Sequence, residues 1–491
     1  MARCLAVDYG ASSVRVIDVS LDDNGLTARE LSRRSNASVE DGGRFWDHGG
    51  LFAAVEEGMA AAAASGPAPL GIGADSWGVD VVLVGADGRP AMRPRAYRDP
   101  YFNGWMERWL AEQADEAAVF AATGIPLMAI NTLYQLYAAA RLEPEALKAT
   151  RHVLLTADYV HYRLGGEAAN ERTLASTSQM LMLDGTWWQT ALDSLGLPAG
   201  ALGPVVRPGT LLGGLRPDIA RRHGFGATRV VAPAAHDTQS AIVAVPAVEA
   251  GDWAYISCGT WSIIGAVSPR PFVGPDAFAA GLGNETGYGD TYCVQSTVTG
   301  LWLIQEILRG LADGSTAASL AAEAAAEPPF RSIVDPAHPR FMAPADMAAE
   351  IRAACREAGE PVPDSRAAVA RCAYDSLALN YRFTLADLQR VTGRRFDRVH
   401  MVGGGARAAL LNGLTAATTG LPAVAGPIEA TAIGNAITQF IALGVLPSWQ
   451  EGRRLVARSF PPVVSEPHPL PGLDEAVRRF DRLRQRRRNA A

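Results

Sequence analysis

One carboxylate of this chain is placed to take a proton from a substrate. Asp237 closes the run TRVVAPAAHD, follows His236 directly and precedes Thr238, so an apolar strand delivers it to a loop from which a helix starts. A carboxylate there suits deprotonation of an acceptor hydroxyl, which is what phosphoryl transfer needs beyond positioning and charge neutralisation. An Asp before Thr at a helix start is also the mark of a plain N-cap. Asp8 is the second candidate, in an apolar run just ahead of a glycine turn. It would hold Mg²⁺ through water, because Mg²⁺ binds few carboxylates and keeps much of its hydration. Its alternative task is to satisfy the amides of the turn.

Two segments look like copies of one phosphate-binding device. LAVDYGASSVRVIDV, from Leu5 to Val19, and WAYISCGTWSIIGAV, from Trp253 to Val267, each pair two apolar runs about a glycine and hydroxyl residues. Gly10 and Gly259 are expected in backbone conformations that a β-carbon forbids, so that neighbouring amides converge on an anion while Ser12, Ser13 and Thr260 add hydroxyl donors. Taken singly, each is also an ordinary β-hairpin. Gly403 to Gly405, in VHMVGGGARAALLN, lie between a strand-like and a helix-like run and let a flat ring rest against backbone. A nucleotide with phosphates at the hairpins and adenine at the triple glycine accounts for all three features. Gly403, Gly405 and Ala408 also satisfy G-x-G-x-x-A, with Glu429 spaced to meet a ribose. Too little chain follows Glu429, however, to build the further strand-helix units of a dinucleotide fold. The absence of G-x-x-x-x-G-K-[ST] excludes a P-loop enzyme.

Positioning these groups takes two domains. The 491 residues, 48% hydrophobic and 20% charged, exceed what one core holds. In the first half, strand-like runs (LAV, VRVIDV, LGIGAD) alternate with a helical run over 51–65, and VDVVLVGADGRP reads as a hairpin turning at Asp87-Gly88. A helical middle follows, then the strand before His236, and a second half restarts near Val245. This is an α/β pattern, with expected domains 1–245 and 246–448 and a tail over 449–491. In the tail, Leu473, Val477, Phe480 and Leu483 recur at helical spacing, which predicts a docked terminal helix with its arginines solvated. The net charge of −6 argues against nucleic acid as a partner. Five cysteines without metal-ligand spacing point to a reduced, cytoplasmic protein. Met1 leads directly into the first expected strand, which argues against a signal peptide, and no apolar run is long enough to span a bilayer. Monomer and homodimer both remain open.

VDYGASSVR, AAHDT, SCGTWS and VGGGARAALLN, in that order, resemble the FGGY carbohydrate kinases, a family of the actin/hexokinase/Hsp70 ATPase superfamily. DSWGVDVVLV, AYRD, NTLYQLYA, GTWSIIG, GLWLIQE and DSLALNY extend the likeness over residues 3 to 445, and are most similar to the members that phosphorylate L-rhamnulose. The resemblance implies an α/β fold of two RNase H-like domains with an active-site cleft between them, sugar-binding first and nucleotide-binding second. It implies transfer of a phosphoryl group from ATP, with Mg²⁺, to the 1-hydroxyl of L-rhamnulose. ATP would meet Ala11, Ser12, Ser13, Val14 and Arg15 in the first hairpin, then Thr260, Gln305, Gly403 and Gly404. The sugar would meet Gly78, His236, Asp237 and Thr238, with Trp77 as an apolar wall and Asp237 as the base. The likeness breaks at Asn284–Gly287 and Gln295–Trp302, where Ser296 and Thr297 replace a lysine and a nucleotide-contacting asparagine of the family. HDTQ and TSQMLMLD lean toward L-fuculose kinases, so L-fuculose or a xylulose is the alternative sugar. A non-catalytic ATP-binding regulator is the alternative class.

Overall fold

The computed structural model describes residues 1–490. The chain divides into two compact units. One combines Met1–Val248, Val267–Val294 and Glu429–Ser459; the other combines Glu249–Ala266, Gln295–Ile428 and the described chain from Phe460.

The first unit is built on a six-stranded sheet in the order Thr210–Gly214, Arg229–Ala232, Gly71–Ser76, Ala2–Tyr9, Ser13–Asp22, Gly25–Ser35. Its three inner strands, Arg229–Ala232, Gly71–Ser76 and Ala2–Tyr9, run parallel, and the flanking pairs are antiparallel. Cys4 to Val7 are wholly buried, as a parallel strand covered on both faces requires. One cover comes from far along the chain: helix Ala430–Ala442 packs on Ala2–Tyr9, where Gln439 Nε2 donates to the Leu5 carbonyl at 3.0 Å. Three parallel strands ending at one edge bring Asp8 opposite Asp75 and extend through a bridge from Ser76 to His236. Parallel sheets present ligand sites at that carboxyl edge.

The expected hairpin at Asp87-Gly88 is only half present. Gly88 turns with φ of 77°, but the return arm makes a single bridge at Pro90, which has no N–H for a ladder. Strand Val81–Gly85 pairs with Thr150–Leu155 instead.

In the second unit, strand Trp253–Cys258 pairs with Trp261–Ser268, which belongs to that unit through Ala266, and lies beside Arg398–Val402, followed outward by Ala423–Ala425 and Val463–Ser465. Helix Leu473–Ala490 docks through Phe480, which is fully buried and stacks on Phe383. The expectation of solvated arginines fails for three of them. Arg479 pairs with Glu360, Arg484 with Asp387 at 3.0 Å and Arg487 with Asp335 at 2.6 Å. The helix therefore presents a charged seam to the unit beside its apolar one. All five cysteines are buried free thiols, Cys355 and Cys372 lying 4.0 Å apart at sulfur. Among the described residues, no helix is long and apolar enough to cross a membrane.

Candidate active site

Asp237 opens helix Asp237–Val243, and His236, not Asp237, occupies the cap position. The carboxylate therefore does not cap; its Oδ1 accepts from the Thr238 amide at 2.5 Å and from Thr238 Oγ1 at 3.2 Å. Burial raises its carboxyl above the ordinary aspartate range, against the pull of His236 and of the Thr238 bonds. Beside it, His236 Nδ1 lies 2.7 Å from Glu285 Oε2 and Nε2 lies 3.5 Å from Asp237 Oδ1. Burial works to lower the imidazole, but Glu285, helped by Asp237 and Glu171, more than offsets it and brings the pKa to about 9. The loop is pinned from behind by Glu171, itself fully buried. That carboxylate accepts from the amides of Thr173, Leu174 and Ala235, and Thr173 Oγ1 accepts from the His236 amide at 3.2 Å.

Trp77, expected as an apolar wall, opens the segment Trp77-Gly78-Val79-Asp80, which follows the bridge between Ser76 and His236. Trp77 stacks on Tyr9 and tilts against Trp46 at 4.8 Å. Both indole N–H groups donate to Asp80 Oδ2, at 2.5 Å from Trp46 and 2.9 Å from Trp77, and burial lifts that carboxyl to about 6. Gly78 is where a β-carbon would press on Thr177, 2.9 Å from its Oγ1. Val79 has φ of 69°, a left-handed conformation that a β-branched residue adopts only under constraint. The constraint is visible: its amide donates to Thr177 Oγ1, and its carbonyl accepts from Thr132 Oγ1 and Gln135 Nε2. Val79→Gly should relieve strain of about 1–3 kcal/mol while loosening this segment. The expected result is an unchanged or higher melting temperature with a raised KM for the sugar; a lower melting temperature with unaltered KM would show that the strain has no part in the site.

A second cluster lies at the end of the first hairpin. Arg15 pairs with Asp8 and, at 2.6 Å, with Glu429. Glu429 is thus taken by Arg15, and the ribose role that its spacing suggested has no support. Burial raises the Asp8 carboxyl, Arg15 opposes this, and Asp237 and Glu429 add to it. Asp75, fully buried, is raised further, by burial first and then by Asp8, although Asn435 Nδ2 donates to its Oδ2 at 2.6 Å. Its Oδ1 has no hydrogen-bond partner. Among the described residues, no group of three or more His, Cys, Asp or Glu forms a direct metal cage. Facing carboxylates with an orphaned oxygen fit a hydrated divalent cation rather than a caged one. Gly10 is not in a left-handed conformation; a β-carbon there would lie 2.9 Å from the Ser13 carbonyl, so close approach explains the glycine. Val14 is core, leaving only its backbone for a ligand, while Ser12 is exposed and Ala11 and Ser13 are half-buried.

In the second unit, the Gly259 and Thr260 carbonyls accept from the Leu301 and Trp302 amides at the start of helix Trp302–Leu311. That contact brings Thr260 to Gln305, with 3.2 Å between Oγ1 and Oε1, and both side chains are exposed. The conformational argument for Gly259 is overturned: its φ is not positive, and a β-carbon would meet only the Trp261 carbonyl at 3.6 Å. Gly403, with φ of 78°, and Gly405 are held by packing on Cys258, whereas Gly404 is exposed with open space before it. Ser296 is half-buried and Thr297 exposed on strand Tyr292–Thr299.

The N-terminal domain of the FGGY family of carbohydrate kinases matches residues 3–244, and its C-terminal domain matches residues 254–443. The chain belongs to this family. It is 38% identical over 477 residues to a protein of Bacteroides thetaiotaomicron named rhamnulokinase, covering 97% of this chain and 98% of that one. It is 40% identical over 461 residues to a protein of Pectobacterium carotovorum of the same name, covering 93% and 91%. In structure it is similar to a ligand-bound xylulose kinase from Lactobacillus acidophilus, with a TM-score of 0.83 at 16% identity covering 100% and 98%. It is also similar to a Plasmodium falciparum glycerol kinase with ADP, with a TM-score of 0.80 at 13% identity covering 99% and 98%. These likenesses establish the two-domain α/β kinase fold.

Within this FGGY kinase, the first unit holds Asp8, Ala11 to Arg15, Trp77, Gly78 and His236 to Thr238 of the residues expected from sequence; the second holds Thr260, Gln305, Gly403 and Gly404. Sequence reasoning passed over Asp75, Asp80, Glu171 and Glu285. Asp75 opens the DSWG motif and Asp80 follows it by two residues, so two acids bracketing a Trp-Gly pair was the signal available for them. For Glu171 and Glu285 the sequence carries no local signal.

Proposed function

We propose that this carbohydrate kinase transfers the γ-phosphoryl group of ATP to the 1-hydroxyl of L-rhamnulose, with Asp237 as general base. The observation that carries the reading is the placement of Asp237: at the carboxyl edge of three parallel strands, next to a histidine held by a carboxylate and bridged at its backbone to Ser76, the residue before Trp77. The rhamnulokinase relatives supply the choice of sugar. A 6-deoxyketose also suits Trp77, because its methyl end can rest on indole carbon.

In this reading Gly78, His236 and Thr238 hold the ketose hydroxyls, Trp77 backs the carbon chain, and Asp237 takes the proton from O1 as that oxygen attacks phosphorus. ATP supplies the phosphoryl group, and Mg²⁺, held by Asp8 through water, would neutralise its charge. Residues 1–245 carry the acceptor machinery. Ala11 to Arg15 offer the first turn to phosphate, and in residues 246–448 Thr260, Gln305, Gly403 and Gly404 meet the nucleotide. The buried free thiols support a reducing, cytoplasmic setting.

ADP release measured with L-rhamnulose, L-fuculose, L-xylulose and D-xylulose side by side tests the assignment. L-rhamnulose should give the highest kcat/KM, since a site that hydrogen-bonds particular hydroxyls leaves polar groups unpaired against the wrong epimer. Another ketose ahead by more than about tenfold, roughly 1.4 kcal/mol in transition-state binding, would overturn the sugar. ADP release indifferent to every sugar would overturn the assigned reaction.

A further inference from the structure

We infer that Glu285 is a positioning residue of the transfer site, holding the His236 imidazole in the one orientation and protonation pattern that serves both the sugar and Asp237. The inference rests on the proposed placement of the sugar at His236 and Asp237. Glu285 lies on the short strand Gly283–Thr286, 49 positions from His236 in sequence, yet its Oε2 is 2.7 Å from His236 Nδ1. The same oxygen accepts from Gln239 Nε2 at 3.0 Å, and Gln239 Oε1 in turn accepts from the Cys293 thiol at 2.8 Å. Glu285 is thus held by a side chain of the very helix that Asp237 opens.

A carboxylate can only accept, so His236 carries a proton on Nδ1, and in the imidazolium that the two flanking carboxylates favour Nε2–H is the group that faces Asp237 Oδ1 at 3.5 Å. His236 is only 7% exposed, so water competes little for that arrangement. An imidazole whose outer nitrogen lacks this partner can rotate or lose its second proton, and the same order of loss is expected here as for the outer partners of metal-bound histidines, about 10- to 100-fold when removed. The strand that carries Glu285 is fastened independently of it, because the Thr286 amide donates to Ser176 Oγ and Asn284 Nδ2 donates to the carbonyls of Gly124 and Phe272. Removing the Glu285 charge should therefore leave the strand in place.

The test compares Glu285→Gln and Glu285→Asp with the parent enzyme, using whichever ketose the parent phosphorylates best, so that a wrong sugar assignment does not touch the outcome. Glu285→Gln should lower kcat/KM for the ketose about 10- to 100-fold, leave KM for ATP within about twofold, and keep the melting temperature; Glu285→Asp should recover part of the loss. In ¹⁵N-histidine spectra of the intact proteins, the His236 signal, assigned by its absence in His236→Gln, should show a protonated Nδ1 in the parent and a changed pattern in Glu285→Gln. An unaltered His236 signal overturns the inference, whatever the activity. So does a loss shared equally by both variants and accompanied by a lower melting temperature and weaker ATP binding, since that marks a structural part only.

Discussion

Asp237→Asn should fold as the parent does and turn over about 10²- to 10⁴-fold more slowly, the usual worth of a positioned general base and equal to about 3–5 kcal/mol of transition-state stabilisation. The exchange is nearly isosteric. Asn keeps an oxygen for the Thr238 amide and hydroxyl, which reach Asp237 at 2.5 and 3.2 Å, so the helix start is preserved. It also removes a charge that burial disfavours at this position, so stability should hold or rise slightly. What it cannot do is accept a proton. KM values for ATP and ketose should change little, and the loss should sit in kcat. The raised carboxyl has a consequence for pH as well. A base whose folded pKa lies above the ordinary aspartate value is protonated, and idle, at pH values where a free aspartate would still work, so the acid limb of kcat/KM should lie above that of a solvent-exposed aspartate. Near-normal turnover in Asp237→Asn, with the parent's acid limb intact, would remove Asp237 from the chemistry.

The parts of this enzyme legible in sequence are those encoded by neighbours along the chain. The strand-loop-helix around Asp237, the two hairpins and the glycine turn after Val402 each announce themselves by apolar runs broken by Gly, and all are present. The reasons given for individual glycines were less secure. Gly10 and Gly259 were expected to need unusual backbone angles and do not, because turn conformation depends on how the strands register as well as on which residue is small. The unread parts of the site are pairings between distant segments. Arg15 meets Glu429 across 414 positions and Asn435 meets Asp75 across 360. Asp75 looked like the last residue of an ordinary strand, and only its register against Asp8 makes it part of a carboxylate cluster. Glu285 lies in a segment where the family likeness breaks, and only the fold, by setting it against His236, gives it a role.

The closest of these long-range approaches should also be the most sensitive to one added carbon. Gly434 lies within helix Ala430–Ala442 and packs on helix Asp237–Val243, so that a β-carbon at Gly434 would fall on the Ser240 carbonyl oxygen and come within 2.8 Å of its carbon and 3.3 Å of the Ala244 amide nitrogen. Two effects compete in Gly434→Ala. Alanine favours a helix interior over glycine by about 1 kcal/mol. Against that, the obstacle is backbone on a second helix, which cannot rotate aside as a side chain would, and overpacking of this kind costs about 1–3 kcal/mol and sometimes more. The steric term should win, giving a lower melting temperature. Activity should fall further than stability, because the displaced helix begins at Asp237 and a shift of about 1 Å in a reacting group can cost on the order of 100-fold. Gly413→Ala, in helix Ala409–Thr419, is the control: no atom lies within 4 Å of the added carbon, so the propensity gain should stand alone and the melting temperature should hold or rise with kcat unchanged. If Gly434→Ala matches that control in both measurements, the two helices are not in the backbone-to-backbone contact that places Asp237, and something other than this seam positions the base.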